Sequence, residues 1–107
     1  MNTEEIKNYL ETNEYTRDIF LNVYAMDQLP KEKISRTRWI LIMNCCPANL
    51  RGEHWIAMHC ENDNLEIFDS FGTSALMYEG VSYFIEKQKT NSIMYNCKHL
   101  HSIDLDA

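Results

Sequence analysis

The residues best suited to chemistry are His54 and Asp69. They stand in two short aromatic-rich arms, Gly52-Glu53-His54-Trp55-Ile56-Ala57-Met58-His59-Cys60 and Asn64-Leu65-Glu66-Ile67-Phe68-Asp69-Ser70-Phe71-Gly72. A carboxylate that accepts an imidazole N–H fixes the ring's tautomer and stabilises the imidazolium, so the other ring nitrogen can serve as base for a nucleophile. The same two residues could equally be a half-buried His and Asp at a strand end, satisfied by each other or by solvent. Chemistry requires that the two arms bring them to one face.

The arms read as an antiparallel hairpin because both are short, apolar and aromatic, and a polar stretch, Glu61-Asn62-Asp63-Asn64, separates them. With a loop of either two residues (Asn62, Asp63) or four (Glu61 to Asn64), paired positions sum to 125, so Ile56 faces Asp69 and His54 faces Phe71. Alternation then places His54, Ile56, Met58 and Cys60 on one face with Leu65, Ile67 and Asp69. His54 and Asp69 become diagonal neighbours, roughly 7–8 Å apart at the backbone and closer between side chains. A three-residue loop would break this register.

The remaining chemical groups form no comparable pattern. Cys45, Cys46, Cys60 and Cys97 lack zinc-type spacing, and an adjacent Cys45-Cys46 pair makes a poor disulfide framework, so reduced, inert thiols are expected. His59 falls on the face opposite His54, and His99-x-His101 has no third ligand beside it. No metal or cofactor is expected.

The elements around the hairpin follow from spacing. Asn2-Thr3-Glu4-Glu5 offers a helix cap, and Ile6, Tyr9 and Leu10 continue at helical spacing, predicting a helix over about 3–11. A helical turn near Arg17 and an extended segment follow, ended by Leu29-Pro30, with Tyr15, Phe20 and Tyr24 expected in the core. Trp39-Ile40-Leu41-Ile42-Met43 is an unbroken apolar run, read as a central strand buried on both faces. Cys45 to Gly52 is the loop into the His54 strand, with Pro47 and Gly52 as turn residues. Thr73 or Ser74 can cap a second helix through Leu76, Met77, Val81, Phe84 and Ile85, with Lys87-Gln88-Lys89 at its negative end. Ser92 to Asn96 reads as a further short strand. The fold class is α+β, a mixed, mainly antiparallel sheet flanked by helices.

Composition bounds the function. One domain is expected over 107 residues, with a modest core. A 45% hydrophobic and 24% charged content is ordinary for a soluble globular protein. No apolar run reaches membrane-span length and Met1-Asn2-Thr3-Glu4-Glu5 is no secretory signal, so an intracellular setting is expected, with no membrane partner. The net charge of −6 disfavours nucleic-acid binding. The only basic cluster, Lys31 to Arg38, is interrupted by Glu32 and reads as a solvated approach to the next strand.

Gly52-x-His54-Trp55, a strand, a turn and Phe68-Asp69-Ser70-Phe71-Gly72 resemble the His and acid motifs of the adenovirus-protease-like (adenain-like) cysteine peptidases, relatives of the Ulp1 or SUMO-protease clan with similar sequences in large DNA viruses, virophages and Polinton-type elements. Tyr15 to Phe20 with Val23 to Pro30, and Tyr95-Asn96-Cys97-Lys98, agree with that pattern in order along the chain. The resemblance implies a viral-type endopeptidase that matures capsid or core precursors, with His54 as base, Asp69 as orienting acid, and Trp55 and Gly52 beside the substrate. His101 occupies the position of the family's Gln, a donor to the oxyanion. The family's nucleophilic Cys falls at position 108, one past Ala107, so an incomplete protease domain, inactive alone, is expected. A missing C-terminal fragment or activating peptide, and a homodimer through the surface that the helix begun by the family's Cys would cover, are the expected partners besides the precursor. Cys45 and Cys46 stand where similar proteins carry small polar residues. The alternative is an inactive pseudo-protease that binds peptides or a partner; SUMO or ubiquitin-like deconjugation ranks last.

Overall fold

A computed structural model describes residues 2–44, 55–69, 79–96 and 98–100. The elements run α1 (Thr3–Thr12), β1 (Phe20–Ala25), β2 (Arg38–Asn44), β3 (Trp55–Glu61), β4 (Asn64–Asp69), α2 (Glu79–Gln88), β5 (Ser92–Tyr95) and β6 (Lys98–Leu100). The strands form one sheet in chain order, β1-β2-β3-β4-β5-β6. The β2–β3, β3–β4 and β5–β6 ladders are antiparallel, and β1–β2 and β4–β5 are parallel. The fold is α+β, with a mixed, mainly antiparallel sheet and, among the described residues, two helices, as the sequence pattern implies.

The β3–β4 register matches the two-residue loop. Ile56 pairs with Asp69, Met58 with Ile67 and Glu61 with Asn64. Asn62 and Asp63 have φ of 50° and 63°, the doubly left-handed turn whose twist suits a two-residue hairpin. Asn and Asp accept that conformation more readily than most residues. The predicted face forms: Ile56, Met58, Cys60, Leu65, Ile67 and Asp69 are all buried.

Trp39, Leu41 and Met43 of β2 lie across from Cys60, Met58 and Ile56 and complete this face. From α2, Val81, Phe84 and Ile85 close over it, and Phe84 meets Trp39 edge-to-face at 6.0 Å between ring centroids. The other face of β2 departs from expectation. Ile40 and Ile42 are only half-buried, because the layer on that side is α1, none of whose residues is buried. β2 is therefore an alternating strand, although its sequence is continuously apolar.

The N-terminal helix begins where its cap predicts. The Asn2 side chain accepts from the Glu5 N–H at 2.9 Å, and the Glu5 carboxylate accepts from the Asn2 N–H, a reciprocal capping box. Turns over 14–19 lead into β1. Phe20 enters the core and Tyr24 packs at its margin, but Tyr15 is 78% exposed, contrary to the core role expected of it. Its backbone N–H instead binds the Asn13 side chain in an Asx turn, which leaves the ring outside. The stretch 31–38 is largely solvated, with ion pairs from Lys33 to Asp63 and Arg38 to Glu61, both exposed. The start of the second helix at Thr73 or Ser74 lies outside the described residues.

Candidate functional site

Asp69 ends β4 and is 4% exposed. Such a carboxylate must be hydrogen-bonded. The Tyr95 hydroxyl donates to its Oδ2 at 2.6 Å, within the short range of an O–H bond to a charged acceptor. Tyr95 reaches it because β5 runs parallel to β4 with Ile67 opposite Tyr95, so the two chains advance together toward the same end of the sheet.

The next residue grips the Asp69 backbone. Asn96 donates its own N–H to the Ile67 carbonyl at 2.9 Å and then turns away from β4 at φ 49°, entering the hairpin to β6. Past that point β4 would lose its ladder partner on this side. The Asn96 carboxamide supplies one: Oδ1 accepts from the Asp69 N–H at 2.7 Å, and Nδ2 donates to the Asp69 carbonyl at 3.0 Å. A primary amide presents the same donor and acceptor as a peptide group, so it continues the sheet by one residue.

On the opposite face lies an open cleft of about 620 Å³. Ile6, Tyr9 and Leu10 of α1 form one wall, and Ile42, Trp55 and Phe68 of the sheet form the other, with Asp69 and Asn96 also on its border. Size and apolar lining are those of a ligand or side-chain site. Tyr9 and Phe68, two of the exposed large apolar residues, both line it. Trp55, expected beside the substrate, opens β3 opposite Asn44, half-buried.

Of the residues predicted to act, Asp69 and Trp55 are thus brought to one end of the sheet. His54, Gly52 and His101 lie outside the described residues, as do Cys45, Cys46 and Cys97. Cys60 is buried in the core, and that burial pushes its thiol pKa up, with the Asp63 charge adding and Lys33 and a backbone hydrogen bond at Asp63 opposing. Such a thiol stays protonated and inert at neutral pH. His59 is half-buried on the face away from Met58, and His99 pairs with Met94 on β6. Among the described residues no group of three or more His, Cys, Asp or Glu could hold a metal ion, and no helix is long and apolar enough to cross a membrane.

Sequence reading missed Tyr95 and Asn96 as site residues and β6 as a strand. Tyr-Asn-Cys-Lys between apolar residues, with an Asn able to take positive φ, was the available signal for a tight turn. Compared with protein-family models and with curated proteins, the chain matches none.

Proposed function

We propose that this chain carries the acid–base part of an adenain-like cysteine endopeptidase site. The observation that carries the reading is the placement of Asp69: a buried carboxylate, held on one oxygen by Tyr95, paired with Ile56 two residues after His54 in the sequence. In this reading His54 is the general base and Asp69 the acid that orients it. His54 takes the proton of a cysteine thiol, and the thiolate attacks the scissile carbonyl. The imidazolium then gives that proton to the departing amine, and water, deprotonated by the same imidazole, releases the acyl group. The resemblance assigns the oxyanion donor to His101. Gly52 and Trp55 flank the substrate, an intracellular precursor polyprotein.

The natural full-length protein should hydrolyse peptides in a thiol-alkylation-sensitive reaction, and His54→Ala should lower kcat by at least about a hundredfold. Unchanged turnover in His54→Ala would sink the reading. A second reading draws on the apolar cleft, which needs no nucleophile to hold a peptide side chain: an inactive relative that binds an apolar peptide or protein segment. Peptide binding without turnover by the wild-type protein would select it.

A further inference from the structure

We propose that Tyr95 and Asn96 are positioning residues that act through Asp69, the hydroxyl fixing its carboxylate and the carboxamide fixing its backbone; this rests on the acid role just assigned to Asp69. Burial alone asks only that a carboxylate find donors. Here the last residue of β5 and the turn residue that follows it hold one residue at three separate atoms. Tyr95 holds Oδ2 at 2.6 Å, and Asn96 holds N and O at 2.7 and 3.0 Å. Those grips fix the Asp69 backbone on both sides of its Cα and one oxygen of its carboxyl group.

The arrangement is anchored from behind. Tyr95 packs against the buried core, and its partner in register, Ile67, is 1% exposed. Asn96 is fixed by its N–H to the Ile67 carbonyl. A carboxylate that orients a base must be held to within about 0.5 Å, and groups locked by packing and hydrogen bonds do this better than a lone strand end. The left-handed φ of 49° at Asn96 makes the geometry possible, since it turns the main chain away while leaving the side chain over β4. Asn is among the few residues suited to both tasks.

The test measures kcat and KM for peptide hydrolysis by the natural full-length protein and by Tyr95→Phe, Asn96→Gly, Asp69→Asn and the Tyr95→Phe/Asp69→Asn double variant. Tyr95→Phe keeps the ring and its packing, and Asn96→Gly keeps the positive φ while removing the carboxamide. Each should lower kcat by about 10- to 100-fold with KM held within about twofold, the cost of misplacing a group by an ångström. In the Asp69→Asn background, Tyr95→Phe should change kcat by less than about twofold, because the carboxylate through which the hydroxyl acts is gone. Wild-type kcat in Tyr95→Phe, or an equal loss in both backgrounds, overturns the positioning role and leaves the peptidase intact. A wild-type protein that hydrolyses no peptide overturns the peptidase reading and this inference together.

Discussion

The two faces of the sheet have the same two-residue period and opposite fates. On one, Trp39, Leu41, Met43, Ile56, Met58, Leu65 and Ile67 are at most 1% exposed, under an α2 that contributes three buried apolar side chains, Val81, Phe84 and Ile85. On the other, Ile40, Ile42, Trp55 and Ala57 are half-buried and Phe68 is 43% exposed, beside an α1 none of whose residues is fully buried. Apolar content does not separate them; coverage does. The closed face holds the fold together, and the open face leaves an apolar cleft beside Asp69.

Truncation on each face tests that division with the largest expected effect. Phe84→Ala removes a buried ring in edge-to-face contact with Trp39 and should lower unfolding free energy by about 3–5 kcal/mol. Phe68→Ala removes a partly exposed ring from the cleft wall and should cost less than about 1 kcal/mol. Urea denaturation of the two variants measures the difference. Equal losses would show that the cleft side is as much a core as the α2 side.

The next effect is polar. Gln88, 1% exposed at the end of α2, accepts the Ile34 N–H at 2.9 Å on Oε1, and its Nε2 donates to the Phe84 carbonyl at 3.2 Å and more weakly to the Glu32 carbonyl at 3.4 Å. Lys33 also donates to the Gln88 main-chain carbonyl. The side chain thereby ties the crossover between β1 and β2 onto the closed face. Gln88→Ala leaves the Ile34 N–H without its acceptor and should cost about 1–3 kcal/mol, measured by the same titration. Gln88→Glu, which keeps the acceptor but adds a buried charge, should be no better tolerated.

Gln88 also marks where sequence reading stops. Lys87-Gln88-Lys89 reads as a segment suited to the negative end of the helix, and Lys87 does stand in the last turn, over the Tyr83 ring at 5.8 Å. Nothing local says that the residue between two lysines is among the most buried of those described, because two of its three side-chain partners are fifty-odd residues away, at Glu32 and Ile34. What was legible was local or periodic: the cap at Asn2, the hairpin, and the register that pairs Ile56 with Asp69 from a sum of positions. Parallel pairing was not. The β4–β5 ladder that brings Tyr95 to Asp69 spans the whole α2 crossover, and parallel partners carry no turn signal. The register and burial of Asp69 could thus be read from the sequence, whereas the residues that hold it could not. The continuous apolar run of β2 misled for a related reason, since coverage by a helix elsewhere in the chain decides whether its second face is buried.

The smallest effect concerns how α2 starts. Gly80 is the second residue of the helix as described, exposed and outside the left-handed region. A methyl group there would meet the Met26 carbonyl oxygen at 3.6 Å, an ordinary contact. Glycine therefore gives this position neither a needed conformation nor a needed space, and it leaves the unfolded chain more freedom to lose. Gly80→Ala should stabilise by about 0.4–1 kcal/mol. For a domain of this size that corresponds to a rise of about 2–6 °C in Tm, measurable by differential scanning calorimetry. The gain should persist in Phe68→Ala and shrink in Phe84→Ala if the helix serves only the closed face, because a loosened α2 recovers less from a better helix former. A fall in Tm would instead mean that the approach of α2 to the Met26 carbonyl is tight, and that glycine is kept to let the helix seat against the chain leaving β1.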